Sequence, residues 1–162
     1  MGAEQGSRCN CTALRKASRR ISVLYDTAIA PSGLKITQIA ILAQIDRSEP
    51  TTVSALAEAL VMDRGALAHT LKPLERDGLV EVGTDPEDRR NRSITLTERG
   101  RAKLAEAGAF LARAQRGFEM AFGRAESEGL REALGFLVSE GFVAAFQDGL
   151  ASAEPRPSGQ GA

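Results

Sequence analysis

The sequence predicts a mainly α-helical fold carrying one small β-hairpin, and three observations predict it. Ala, Leu, Glu and Arg dominate the 162 residues, while aromatics make up only 4% and Trp is absent; that composition favours helices. Apolar residues recur three and four apart along most of the chain. Strict alternation is confined to two short stretches, Leu79–Val82 and Ser93–Thr97. With 43% hydrophobic and 26% charged residues, the chain can bury one ordinary core.

The elements follow in order. From about Thr12 to Ala30, Leu14, Ala17, Ile21, Leu24 and Ala28 form one apolar stripe, with Arg15, Lys16, Arg19 and Arg20 opposite. Pro31-Ser32-Gly33 breaks that helix. A second helix, about Lys35 to Asp46, is apolar around most of its circumference (Ile36, Ile39, Ala40, Ile41, Leu42, Ile45) and belongs in the middle of the domain. Thr51-Thr52-Val53 reads as a short edge strand. Ser54 is placed to cap a short helix, Ala55 to Leu60, and Asp63 to cap the next, Arg64 to Arg76. Leu67, Leu71 and Leu74 are the inward stripe of the latter, and Gly78 ends it.

The two alternating stretches then pair as a hairpin around a polar segment, Gly83 to Arg92, in which Asp85-Pro86 signals a turn. Thr97 or Glu98 opens a long helix to about Gly123, striped by Leu104, Leu111, Phe118 and Phe122. A last helix spans about Ser127 to Gln147, with Leu130, Leu134, Leu137, Val138, Phe142 and Ala145. These terminal helices carry more apolar surface than one small domain needs, so a partner chain is expected to cover it. Residues 1–10 and 152–162 read as disordered tails around a continuous domain, 11–151.

The formal net charge is zero, so a nucleic-acid reading must rest on where the charges sit. The order helix, turn, helix, hairpin supplies that placement. A helix-turn-helix holds its second helix where it can enter a major groove, and here the outward positions are Arg64, Ala66, Ala68, His69 and Pro73. Taken alone, the helix pair reads equally well as an ordinary amphipathic helix hairpin. Arg89, Arg90 and Arg92 on the following loop shift the balance, because a guanidinium on a loop tip can enter a narrow minor groove. Asp85, Glu87 and Asp88 beside them keep open the alternative of a solvated, ion-paired loop.

Three motifs add a family resemblance: Leu74-Glu75-Arg76-Asp77-Gly78-Leu79-Val80-Glu81, Asp85-Pro86-Glu87-Asp88-Arg89-Arg90 and Ile94-Thr95-Leu96-Thr97-Glu98-Arg99-Gly100. In combination and spacing, residues Leu34 to Ala107 resemble the MarR (multiple-antibiotic-resistance regulator) family. The resemblance implies a winged helix-turn-helix, its winged unit at about 51–97, that dimerises through its N- and C-terminal helices and reads a palindromic operator in double-stranded DNA. It implies a recognition helix starting at Asp63 and Arg64, with Asp88 positioning the wing and Arg90 entering the minor groove. The implied DNA-binding set is therefore Asp63, Arg64, Ala66, Ala68, His69, Arg89, Arg90 and Arg92. Ala66 and His69 stand where Thr and Arg are frequent in the family, and Pro73 is expected to kink the recognition helix.

The implied function is a transcriptional regulator, a repressor released by a small-molecule, redox or metal signal. The alternative is a winged-helix protein-interaction adaptor that binds no DNA. An enzyme is not expected: no nucleophile has a base at useful spacing, and there is no phosphate-binding glycine loop and no sign of a cofactor. His69 has no metal-ligand partners at helical spacing. Cys9 and Cys11 flank the start of the first helix near Arg8, Arg15 and Lys16, a setting that favours thiolates, and they are the candidate sensor thiols; the alternative is two incidental thiols on a tail. Two thiolates alone do not complete a tetrahedral metal site. Tyr25, Asp26 and Gln38 are candidate polar edges of a ligand pocket, although Tyr25 also reads as core packing. No apolar run matches a bilayer and Met1–Arg8 lacks a signal-peptide core, so a cytoplasmic location is expected.

Overall fold

The computed structural model describes residues 9–84 and 92–152. Those residues divide into two compact units, one ending at Gly117 and the other beginning at Phe118.

In the first unit, α1 spans Asn10–Ile29. It ends in a 3-10 turn, Ala30–Ser32, closed by Gly33 at φ +73°; the buried Ser32 hydroxyl donates to the Ile29 carbonyl (2.7 Å) and accepts from the Leu34 amide (3.2 Å). The expected apolar stripe of α1 is largely uncovered: Leu14 and Leu24 are exposed, and Ile29 is the one fully buried apolar side chain among the described residues of this helix.

Helix α2 (Ile36–Ser48) buries Ile39, Ile41, Leu42 and Ile45. Around it the core adds Leu56 and Ala57 from α3 (Val53–Ala59), Leu67, Leu71 and Leu74 from α4 (Arg64–Arg76), and Val80, Ile94 and Leu96 from the sheet. The sheet has three antiparallel strands in the order β1-β3-β2, with β1 at Thr51–Thr52, β2 at Val80–Thr84 and β3 at Arg92–Leu96. The register Val80↔Leu96, Val82↔Ile94, Thr84↔Arg92 sets these residues on one face, apolar at its base and exposed at Thr84 and Arg92, and leaves Glu81 and Gly83 exposed on the other. The edge strand stops one residue short of the expected one, because Val53 opens α3. The cap of α3 is Thr52, whose hydroxyl accepts from the Ala55 amide (3.1 Å), not Ser54.

Helix α5 (Glu98–Phe122) begins in the first unit. Thr97 caps it, accepting from the Gly100 amide (2.9 Å) while its hydroxyl donates to the Gly78 carbonyl (2.7 Å). Gly100 presses against the main chain of Leu79: a Cβ there would stand 1.9 Å from the Leu79 carbonyl oxygen. The Thr97-Glu98-Arg99-Gly100 motif thus has a physical meaning: a cap and a side-chain-free contact seat the long helix on the turn after α4.

In the second unit, Gly123 at φ +100° separates α5 from α6 (Arg124–Leu137). A single last helix is expected, but two are found. Ser139 makes the break: its hydroxyl donates to the Phe136 carbonyl (2.8 Å) and accepts from the Phe142 amide (3.2 Å), capping α7 (Glu140–Ser152). Phe142 lies between Phe136 and Phe146, with ring centroids 5.5 and 6.0 Å away. Helix α7 buries no residue, and Phe136, Val138, Val143, Phe146 and Leu150 are exposed. No single helix among the described residues is long and apolar enough to cross a membrane.

Candidate nucleic-acid interface

The helix-turn-helix is built from two matching chain reversals. At the end of α3, the Val61 amide donates to the Glu58 carbonyl (3.0 Å) and the Met62 amide to the Ala57 carbonyl (2.8 Å). At the end of α4, the Gly78 amide donates to Glu75 and the Leu79 amide to Leu74, both at 2.9 Å. Both are Schellman closures, which need a left-handed residue. Gly78 supplies it at φ +68° without strain. Val61 does so at φ +51°, an unfavourable conformation for a β-branched residue, and the residue is 72% exposed.

Helix α4 leaves this turn through Asp63, whose Oδ1 accepts from the amides of Gly65 (2.8 Å) and Ala66 (3.1 Å). The cap expected there is present. It also commits that carboxylate oxygen to the helix, so Asp63 orients the N-terminus. With Leu67, Leu71 and Leu74 buried, the opposite face exposes Arg64, Gly65, Ala66, His69, Lys72, Glu75 and Arg76. Ala68 and Pro73 are half-buried at the flank. Arg76 is engaged with Asp77 at 3.0 Å. Lys72, not among the residues expected from sequence, shares the outward face with His69, three positions away. The helix runs unbroken past Pro73 to Arg76; proline there removes the bond to the His69 carbonyl without ending the helix.

The hairpin of β2 and β3 follows directly, and α4 packs on β2. Arg92 stands exposed at the last described pair, Thr84↔Arg92. Asp88, Arg89 and Arg90 lie outside the described residues. The recognition-helix set and Arg92 thus belong to two consecutive elements of one packed unit.

At its base the hairpin is held by a polar cluster that no sequence motif signals. Glu49 Oε2 accepts from the Leu96 amide (2.9 Å) and its Oε1 from Arg101 Nη1, while Arg101 Nη2 donates to the Leu96 carbonyl (3.3 Å). Asp46 lies 3.4 Å from the same guanidinium. The Leu96 amide, and then Arg101, hold the Glu49 carboxyl below its ordinary range, and Glu49 raises the Arg101 guanidinium.

The candidate sensor residues lie on α1 and α2. Cys9 and Cys11 are exposed thiols, Cys9 at the N-cap of α1. Hydrogen bonding from Thr12 lowers the Cys9 thiol below its ordinary value. Tyr25, Asp26 and Gln38 each have a structural partner. The Tyr25 hydroxyl donates to Gln115 Oε1 (2.9 Å), Asp26 Oδ1 accepts from the Ile36 amide (2.7 Å), and Gln38 Oε1 accepts from the Lys35 amide (2.8 Å). Asp26 and Gln38 therefore cap the start of α2. An open apolar hollow of about 250 Å³ is lined by Ile36, Thr37, Ala40, Ile41, Leu60 and Met62. Among the described residues no three His, Cys, Asp or Glu side chains gather as a metal site.

The profile of the MarR family matches residues 34–91. The HTH-type transcriptional regulator SarZ of Staphylococcus haemolyticus is 31% identical over 90 residues, 56% of this chain and 61% of that protein. The chain thus spans less than two thirds of the length of the curated relatives it matches. Among solved structures, the transcriptional regulator MosR of M. tuberculosis in complex with DNA is 34% identical with a TM-score of 0.66, covering 79% of this chain and 97% of that one. The transcriptional repressor CouR bound to a 23-mer DNA duplex is 27% identical with a TM-score of 0.77, covering 86% of this chain and all of that one.

Proposed function

From the premise that the chain belongs to the MarR family, we propose that it is a transcription regulator that binds double-stranded DNA as a homodimer. The observation that carries the reading is the outward face of α4, where Arg64, His69 and Lys72 are exposed immediately before a hairpin that presents Arg92. A helix with that face fits a major groove, and a basic hairpin beside it follows the backbone or minor groove. Arg64, Lys72 and Arg92 make phosphate or base contacts, joined by Arg89 and Arg90. Ala66 and Ala68 offer methyl groups to thymine, and Asp63 orients the helix. Asp88 positions the wing.

The homodimer is supported by apolar surface that the chain leaves uncovered in each unit, Leu14, Val23 and Leu24 in the first and Phe136, Val138, Phe146 and Leu150 in the second. A two-fold dimer reads a palindrome. On this reading the chain is not an enzyme and works in the cytoplasm as a repressor. A signal acting at the exposed Cys9 and Cys11 thiols releases it from its operator, the lowered Cys9 thiol being the reactive one.

The test begins with selection of duplexes from a random 30-base-pair library (roughly three helical turns) by the full chain. Affinity for the enriched duplex should fall linearly in log–log form with added salt. Arg90→Ala and Lys72→Ala should each weaken it, and sedimentation should give a dimer. A chain that enriches no duplex, or binds one with no salt dependence, refutes the reading and leaves the adaptor alternative. Peroxide should release the wild-type complex but not that of the Cys9→Ser, Cys11→Ser double variant; release of both removes the thiol signal alone.

A further inference from the structure

Strand β1 is too short to hold the full length of β3. It pairs at Thr51↔Ile94 and Thr52↔Ser93 and then ends. In an antiparallel ladder the next position on this edge would set residue 49 opposite Leu96. The main-chain pairing stops before that position is reached. Leu96 nevertheless has its amide and its carbonyl satisfied on side chains, by Glu49 Oε2 at 2.9 Å and Arg101 Nη2 at 3.3 Å. Glu49 and Arg101 are also bonded to each other, so three groups close a ring. The ring joins the C-cap of α2, the base of β3 and the first turn of α5.

We propose that Glu49 and Arg101 are positioning residues for DNA binding: they replace the missing end of β1 and thereby fix the pitch of the hairpin that carries Arg92. The inference rests on the DNA-binding reading above. Without the ring, β3 has no polar hold on its β1 side beyond Thr51↔Ile94, and the hairpin can tilt about that shorter edge. Arg92 is four residues from Leu96, about 13 Å along a strand. A tilt of roughly 10° over that length moves Arg92 by about 2 Å, more than a hydrogen bond to a phosphate tolerates. The Glu49 and Arg101 side chains are 22% and 47% exposed, and ion pairs of that exposure add little to global stability. The ring's main effect is therefore on geometry, which separates positioning from mere fold maintenance.

The experiment measures binding of the wild-type-enriched duplex by the full-length Glu49→Ala, Glu49→Gln and Arg101→Met variants, each alone and combined with Arg92→Ala or Lys72→Ala. Glu49→Ala and Arg101→Met should weaken binding about tenfold. Their losses should be much less than additive with Arg92→Ala, since a displaced wing already holds Arg92 away from the duplex, and fully additive with Lys72→Ala on the other element. Glu49→Gln keeps an acceptor for the Leu96 amide and should recover part of the loss. Hydrogen exchange without DNA supplies a second readout: amides of β2 and β3 should exchange faster in Glu49→Ala while those of α4 stay unchanged. Additivity with Arg92→Ala, or equal coupling to both partners, overturns the proposal. So does wild-type affinity in Glu49→Ala. If the wild-type chain enriches no duplex, the DNA-binding reading falls with it; wild-type binding with an indifferent Glu49→Ala removes only the present inference.

Discussion

Replacing Gly100 by Ala tests how α5 is seated on the winged unit. The new Cβ would stand 1.9 Å from the Leu79 carbonyl oxygen and 2.9 Å from its carbon. Carbon and oxygen approach to about 3.3 Å even in the closest favourable contacts, so the two main chains must part by more than about 1 Å on that scale. The same carbonyl accepts from the Thr97 amide at 3.2 Å, and the Thr97 hydroxyl spans to Gly78 at 2.7 Å. Separation weakens both bonds, at about 1 kcal/mol each. Forced overlap adds about 1–3 kcal/mol, and alanine returns up to about 1 kcal/mol of helix propensity. The net loss is about 2–4 kcal/mol. For a chain of this length that lowers Tm by roughly 5–15 °C. Thermal unfolding followed by far-ultraviolet circular dichroism measures it at fixed protein concentration. Gly108→Ala is the comparison, because it sits in the same helix with nothing within 4 Å of its added methyl; it should be neutral or stabilising. A Gly100→Ala protein as stable as the Gly108→Ala protein refutes the argument that backbone contact, rather than helix propensity, selects glycine at this position.

Val61→Gly should stabilise the chain by about 0.5–1 kcal/mol, since relief of about 1–2 kcal/mol of left-handed strain exceeds the entropy glycine adds to the unfolded state; urea unfolding reads the sign. Asp63→Ala removes the acceptor for two amides and should cost about 1 kcal/mol, with Asp63→Asn recovering most of it in the same assay. Because the folded Glu49 carboxyl lies below its unfolded value, its contribution is complete above about pH 4.3 and is lost as pH falls through the folded value; the stability gap between wild type and Glu49→Gln should therefore shrink below that pH and stay constant above it. In Cys11→Ser, the remaining Cys9 thiol should react with iodoacetamide already below about pH 8.5, the ordinary thiol value, and a rate profile centred at or above that value removes the Thr12 effect.

Local chemistry was legible where the partners are neighbours in sequence. Gly78 as the end of α4, Asp63 as its cap, and the inward stripe of Leu67, Leu71 and Leu74 each depend on residues within a few positions. The errors arise where partners are distant or where two local signals compete. Thr52 and Ser54 can both cap a helix, and the pairing of Thr51 and Thr52 with β3, some forty residues on, fixes the backbone that makes Thr52 the cap. Apolar periodicity runs straight through residues 127–147 and conceals the capping signal of Ser139. Asp26 and Gln38, the expected polar edges of a pocket, also satisfy amides at the start of α2, Asp26 from ten positions away, a role that the apolar pattern around them does not signal. The Glu49–Arg101 ring spans 52 positions, and no window of the sequence brings its members together.

A formal charge of zero argues against a DNA reader only if charge is spread evenly, and here it is not. Acidic groups of the winged unit are drawn into structural work: Asp63 caps α4, Glu49 is bound to Arg101 and the Leu96 amide, and Asp77 is paired with Arg76. On α4 this leaves Arg64 and Lys72 on the outward face with no ion pair among the described residues. Attraction to a duplex depends on the charges that reach the phosphates, within about 10 Å at 0.1 M salt, and not on the total. Neutralising Lys72 should therefore reduce the salt slope by about one unit for each phosphate it neutralises in the wild-type complex. Neutralising Arg101, whose charge is consumed at the wing base, should weaken binding with no slope change of its own beyond that of the displaced Arg92. On the proposed reading the two losses differ in kind, because Lys72 is free to meet DNA while Arg101 is bound to Glu49.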